Sequence, residues 1–188
     1  RDHRNVTSML HRIQADTHGI CVCPTMSFDE KGHRLNSRIY YVMGIASDGS
    51  APVSFYPTAE DFLGEGGSFT HPRAVSEPLP GVSAPFQTAG KEAMGAFRFK
   101  TVSLAPGQQA EYTLLLGTET CRENISHVFQ SYNTPSKVQK ALKDTKTYWQ
   151  KKTDISFHTG EKDFDSLMKW VSFQPFLRRL FGCSFLPH

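Results

Sequence analysis

The sequence has few cysteines, and their spacing does not suggest a disulfide framework. Only four occur in 188 residues. Cys21 and Cys23 alternate along a predicted strand and point to one face, where a bridge between them would be strained, while Cys121 and Cys183 stand alone. We interpret them as small thiols of a protein from a reducing compartment, which predicts a cytoplasmic location. His18 lies near the first two, but no second pair of ligands is close in sequence, so neither a metal nor another cofactor is expected.

The sequence also lacks long apolar runs and a clear excess of one charge. No stretch approaches the ~20 apolar residues that span a bilayer, so a membrane partner is not expected. Lysine and arginine together number 21 against 18 acidic residues, a net charge of +3. The basic residues are spread out except in one predicted helix, residues 137–152, whose lysines have no stacking aromatics between them and fit a solvated face. A nucleic-acid partner is therefore not expected either.

The first half of the chain predicts β-structure after a short opening helix. Val6, Met9, Leu10 and Ile13 fall on one helical stripe. Residues 20–23 and 35–46 read as strands, and the second carries apolar residues on both faces, which predicts a strand inside a sandwich. Residues 47–50 read as a hairpin turn, with residues 51–56 as the returning strand.

The segments that follow predict a loop, a second hairpin and then helices. Residues 77–91 are rich in proline, glycine and serine and read as a surface loop. Residues 95–104 and 110–116 read as the two strands of a hairpin around Pro106 and Gly107. Helices are predicted at residues 122–132, at 137–152 after a Thr134 cap with Pro135 at the first helical position, and from Asp163 onward. The fold class is therefore α+β, with antiparallel β-structure over residues 20–117 and mainly helix over residues 122–182.

The stretch of residues 57–72 combines a strand exit, a short helical turn and a glycine loop. Thr58 occupies the N-cap position, Glu60 and Asp61 place negative charge in the first turn, and Gly64 can end the turn with a positive φ. The loop is not a nucleotide-binding P-loop, because it lacks the required lysine and Ser/Thr pair. Turn chemistry alone leaves open a simple connector between two sheets.

Two patterns resemble those of one enzyme family. Glu60-Asp61-Phe62-Leu63-Gly64, followed by Gly67-Ser68 and Pro72, resembles the signature of the amino-terminal sandwich of inverting sugar phosphorylases of the cellobiose, cellodextrin and 1,2-β-oligoglucan type, glycoside hydrolase family ninety-four. Trp170-Val171-Ser172-Phe173-Gln174, followed by Arg178 or Arg179 and by Ser184-Phe185, resembles the entry to the helical barrel of the same family. Phe173 stands where tyrosine is usual, and Pro175 follows the glutamine.

The resemblance implies a fold and a domain order. Residues 1–120 are expected to form part of a supersandwich-like antiparallel β-sandwich, residues 121–160 linker helices, and residues 161–188 the first helix of an (α/α)6 barrel that is otherwise missing. We expect the sequence to be an excerpt of a longer chain. It contains no catalytic residue on this reading, since the catalytic acid and the phosphate ligands of the family lie downstream of His188.

The resemblance also implies an activity, reversible phosphorolysis of a β-glucosidic bond with inversion to an α-sugar 1-phosphate. Inorganic phosphate is the co-substrate, an oligosaccharide is the partner, and a homodimer is possible. Gln174 and Arg178 are the residues expected nearest to sugar, because they are polar groups on an otherwise apolar helix, although buried structural hydrogen bonds would explain them as well. The alternative function is a non-catalytic β-sandwich that binds carbohydrate or forms a dimer interface.

Overall fold

The computed structural model describes residues 11–24 and 37–177, together with the backbone of two short strands near the carboxyl end. The chain divides into two compact units, residues 1–138 and 139–188, which are described separately. The strands are β1 (His11–Asp16), β2 (Gly19–Pro24), β3 (Ile39–Ala46), β4 (Ser54–Thr58), β5 (Phe86–Ala89), β6 (Ala93–Arg98), β7 (Tyr112–Glu119), β8 (Arg179–Leu180) and β9 (Cys183–Ser184). The helices are α1 (Ala59–Leu63), α2 (Arg73–Ser76), α3 (Arg122–Tyr132), α4 (Pro135–Lys152) and α5 (Lys162–Leu177).

The first unit is built around a five-stranded antiparallel sheet with the strand order β5-β1-β2-β3-β7. A second antiparallel sheet consists of β4 and β6, with a register shift between Tyr56 and Thr58. Side chains alternate across each strand, so the larger sheet has two faces that can both be buried.

One face of the larger sheet packs against the smaller one. Ile13, Ala15 and Ile20 from β1 and β2 meet Phe55 of β4, and all four side chains are almost fully buried. Phe97 of β6 extends this contact, with its ring 6.1 Å from that of Phe55. Burial of such apolar side chains is the main source of stability in a sandwich of this kind.

The opposite face of the larger sheet is covered by helix α3. Cys21 of β2, Tyr41 of β3 and Ile125 of the helix form a second buried cluster. In the same strands, the odd-numbered residues of β2 and β3 face the helix and the even-numbered residues face the smaller sheet. The expectation that residues 35–46 lie between two buried layers is therefore confirmed for the described part, Ile39–Ala46.

The α+β class with antiparallel sheets followed by helices is confirmed. The opening helix is wrong where the structure describes it, because Ile13 lies in β1 and points into the sandwich core. The rest of that predicted helix lies outside the described residues. Pairing with β2 and β5 on both edges decides the conformation of β1, and these partners are not visible in a local helical stripe.

Two predicted hairpins are also wrong, although their turns are present. The turn at residues 47–50 forms, with Gly49 at φ 86°, but β4 pairs with β6 rather than with β3. The turn at Pro106 and Gly107 forms as well, while β6 and β7 belong to different sheets. In both places the chain turns and crosses to the other layer. The predicted surface loop at residues 77–91 contains the edge strand β5.

The second unit contains helix α5 and an aromatic cluster. The indole ring of Trp149 lies 4.7 Å from the ring of Phe173 and 6.0 Å from that of Phe176. The helix begins at Lys162, one residue before the predicted start, and Pro175 lies inside it. None of the helices in the described part of the chain is long and apolar enough to cross a membrane.

Candidate functional site

A cleft of about 410 Å³ lies in the first unit between the β1–β2 turn and helix α3. Its rim is polar and its floor is apolar. The lining residues are Asp16, Thr17, His18, Cys21, Met43, Arg122, Ile125, Ser126, Phe129 and Gln130. Clefts of this size with a few convergent polar groups are the usual form of small-molecule sites in proteins.

The strand pattern places the cleft on the helix side of the sheet. Asp16 is the last residue of β1 and pairs with Gly19, so Thr17 and His18 form the turn between them. The amide of Gly44 donates a hydrogen bond of 2.7 Å to the carbonyl of His18 and fixes the turn against β3. Gly19 allows this close approach, because a Cβ there would lie 2.0 Å from the carbonyl oxygen of Val42.

An ion pair crosses the mouth of the cleft. Nη1 of Arg122, the first residue of α3, donates to Oδ2 of Asp16 at 2.6 Å. The two side chains are 42 % and 49 % exposed, so the carboxylate and the guanidinium keep further hydrogen-bonding capacity toward solvent or a ligand. Their formal charges cancel, and the rim therefore offers both donors and acceptors without a net charge.

The thiol of Cys21 forms part of the floor. Burial raises its pKa to about 11, although the nearby Arg122 guanidinium lowers it in part. The side chain is 3 % exposed. A thiol in this state is almost entirely protonated near neutral pH, and the thiolate is the reactive form. Cys21 is therefore a structural group in the floor and not a nucleophile.

The imidazole of His18 stacks on Phe129 of helix α3, with ring centroids 4.6 Å apart and an angle of 34° between the planes. Its Nδ1 is buried and has no hydrogen-bond partner among the described residues. A buried polar atom without a partner costs about 1–3 kcal/mol. The cleft thus contains a polar atom whose free energy would fall if the ring turned to meet a hydrogen-bonding group.

Among the described residues, no group of three or more His, Cys, Asp or Glu side chains is arranged to hold a metal ion. The cleft combines a neutral polar rim with Met43, Ile125 and Cys21 below it. This arrangement suits a small uncharged molecule that has both hydroxyl groups and an apolar face.

The glycine loop lies at another place in the first unit. The hydroxyl of Thr58 accepts from the amide of Asp61 at 3.1 Å and donates to its carboxylate at 2.7 Å. Gly64 ends helix α1 with φ 69°. Both predicted roles are confirmed, and an ion pair between Glu60 and Lys91 lies beside the loop.

The two residues predicted to lie near sugar do not contribute to the cleft, whose lining comes from residues 16–130. Gln174 is half-buried in helix α5, and Arg178 lies outside the described residues. Their proximity to sugar stays a prediction.

The sequence analysis did not predict a ligand contact for Asp16, His18 or Arg122. The pair Thr17-His18 lies between two segments in which apolar and polar residues alternate. This pair would have indicated a tight hairpin if residues 11–16 had been interpreted as a strand.

The chain matches a protein-family model. The model described as the supersandwich domain of glycosyl hydrolase 94 matches residues 1–135, which include both sheets of the first unit and helix α3. No curated protein sequence matches the chain significantly.

Proposed function

The chain belongs to glycosyl hydrolase family 94, and on this basis we propose that it is part of an enzyme that cleaves a β-glucosidic bond by reversible phosphorolysis with inversion. In this reaction a carboxylic acid protonates the leaving oxygen while inorganic phosphate attacks the anomeric carbon from the opposite face. Phosphate takes the place of the activated water of an inverting hydrolase. The products are an α-sugar 1-phosphate and the shortened saccharide.

The observation that carries the proposal is the family match over residues 1–135. The glycine-loop pattern that resembles the phosphorylases lies within the matched range, and its predicted cap and turn have the expected geometry. The second pattern, which begins at Trp170, lies beyond the matched range and adds support from an independent part of the sequence.

The chemistry of the cleft supports a role other than acid catalysis for these residues. A catalytic acid must be free to donate its proton to the leaving oxygen. Asp16 instead accepts a hydrogen bond from the guanidinium of Arg122. We assign the catalytic acid and the phosphate ligands to a helical barrel outside the 188 residues, with Gln174 and Arg178 near its sugar site.

A second candidate function is a non-catalytic module that binds carbohydrate or forms a dimer interface. The cleft favours the first of these, since its neutral polar rim and apolar floor match the two kinds of surface that a sugar ring presents. A cytoplasmic location and a homodimer remain part of the proposal.

The test is proton NMR of the natural protein that contains this sequence. Cellobiose, cellodextrins, laminaribiose and sophoro-oligosaccharides are supplied with and without inorganic phosphate. We expect cleavage only with phosphate, and an α-configured sugar 1-phosphate as the product. Release of free sugar without phosphate would indicate a hydrolase, and a β-phosphate product would exclude inversion. The 188-residue chain alone should show no turnover.

A further inference from the structure

We propose that the cleft between the β1–β2 turn and helix α3 is a non-catalytic binding site for one glucosyl unit of a β-glucan. The cleft is formed by Asp16, His18, Arg122 and Gln130 at the rim and by Met43 and Ile125 in the floor. The choice of a β-glucan as the ligand rests on the proposed function. The existence of a site for a neutral, hydroxyl-rich ring rests on the geometry of the cleft.

The rim supplies the hydrogen bonds that adjacent sugar hydroxyls require. Asp16 presents a carboxylate that accepts, and Arg122 presents N–H groups that donate, while 49 % and 42 % of these side chains remain exposed. The two charged groups lie 2.6 Å apart, so an acceptor and a donor are placed side by side before a ligand arrives. Hydrogen bonds to charged groups are stronger than hydrogen bonds between neutral groups. Placing the donor and the acceptor before the ligand binds also lowers the entropy cost of binding.

The charge balance excludes an anion as the preferred ligand. The guanidinium of Arg122 is compensated by Asp16, and the neighbouring Cys21 thiol is neutral because burial raises its pKa to about 11. A phosphate or carboxylate group would have to compete with Asp16 for the guanidinium. A sugar ring adds no charge, and its C–H face can lie on Met43 and Ile125.

His18 supplies a further contact and a means of observing it. Its ring is held on Phe129, and its Nδ1 has no partner among the described residues. A rotation of the imidazole that brings Nδ1 to a sugar hydroxyl would satisfy this atom, which costs free energy while it stays unpaired. Binding should therefore change the ring nitrogen shifts of this histidine.

The experiment is a titration of the ¹⁵N-labelled 188-residue chain, followed by NMR. Cellotetraose, laminaritetraose and sophorotetraose are the probes, and inorganic phosphate is tested separately. We expect saturable shifts of the Thr17 and Gln130 amides and of the His18 ring nitrogens with at least one glucan. Absence of binding by all three glucans, or a stronger response to phosphate alone, would overturn the proposal.

Two variants locate the binding. Asp16→Asn keeps the size of the side chain but removes its charge, and it should weaken glucan binding about tenfold or more. His18→Phe retains the stacking on Phe129 and should weaken binding without loss of folding. Lys91→Gln is the control, because it breaks the ion pair with Glu60 outside the cleft and should leave affinity unchanged. Equal affinity in all three variants would place the sugar elsewhere and refute the site.

The outcome is independent of the phosphorolysis test. If the natural protein cleaves glucans with phosphate but the chain binds none, the site is wrong and the proposed function stands. If the chain binds glucans at the cleft but the natural protein shows no phosphate-dependent cleavage, the site stands and the proposed phosphorolysis is wrong.

Discussion

Nη1 of Arg122 donates to Oδ2 of Asp16 at 2.6 Å, and this contact joins the first hairpin of the sandwich to the first residue of helix α3 across 106 positions of sequence. The helix would otherwise be held on the sheet by its apolar side chains, chiefly Ile125 and Phe129. The ion pair adds a fixed register between the helix and the turn. Both residues line the cleft.

Replacing Arg122 with glutamine should lower the free energy of unfolding by about 0.5–1 kcal/mol, because the pair is partly exposed and partly screened. This difference in the free energy of unfolding should become smaller at high salt, because dissolved ions screen exposed charges. Urea denaturation at low and high ionic strength measures both effects. Lys91→Gln is the matched control and should cost less, since its partner Glu60 is 70 % exposed. An equal loss in both variants, unchanged by salt, would argue against an electrostatic link at Arg122.

Gly19 should be the least replaceable residue of the hairpin. A Cβ at this position would lie 2.0 Å from the carbonyl oxygen of Val42, so β2 and β3 would have to separate. Gly19→Ala should cost about 3 kcal/mol, at the upper end of overpacking effects. Gly49→Ala, where φ is 86° but the space is open, should cost about 1 kcal/mol. Thermal denaturation of both variants checks the order, and a reversed order would contradict the packing of this turn.

The stability of the first unit should fall at alkaline pH because of Cys21. Its pKa is about 11 in the folded protein and 9.0 as the reference for an open chain. Because the pKa is higher in the folded state, the unfolded chain releases the thiol proton first as pH rises. The contribution of the protonated thiol to the free energy of unfolding is therefore complete below pH 9 and is lost as pH rises toward 11. The free energy of unfolding should fall by roughly 1–2 kcal/mol over this pH range. Denaturation of the reduced protein at several pH values between 8 and 11 should show a steeper decline than in Cys21→Ala. Parallel curves would show that the thiol does not carry the effect.

The short helix α1 offers a test of capping. Thr58 is 4 % exposed and its hydroxyl accepts from the amide of Asp61 at 3.1 Å. Thr58→Ala should lower the free energy of unfolding by about 1 kcal/mol, the usual cost of losing an N-cap. Thr70→Ala, in the exposed part of the same loop region, should change it by less than about 0.5 kcal/mol. Chemical denaturation of both variants gives the comparison, and similar values would mean that the cap contributes little.

Local chemistry predicted the features that depend on neighbours in sequence. The cap at Thr58, the end of helix α1 at Gly64 and the start of helix α4 at Pro135 all follow from residues within one turn of each other, and the structure has them. The turn at Gly49 was found for the same reason.

Pairing between distant segments could not be predicted in this way. The turns near Gly49 and Gly107 do not determine whether the next strand stays in the sheet or crosses to the other layer. At both turns the chain crosses. The cleft could not be predicted for the same reason, because Asp16 and Arg122 meet only once helix α3 packs on the sheet next to the β1–β2 turn. The local patterns gave the α+β class, and the family resemblance added the supersandwich arrangement of the strands.

The smaller sheet leaves part of the larger sheet uncovered, at strand β7. Leu114 and Leu116 of β7 face the sandwich side, yet they are 54 % and 78 % exposed, and Leu116 lines an apolar groove of about 460 Å³. Exposed apolar surface of this kind promotes self-association. Leu116→Lys should reduce self-association of the 188-residue chain in sedimentation velocity and change the free energy of unfolding by less than about 0.5 kcal/mol. The control is Leu115→Lys on the opposite, half-buried face, which should destabilise the fold because it buries a charge. Unfolding of Leu116→Lys, or self-association equal to that of the unmodified chain, would show that this leucine is not part of an exposed adhesive surface.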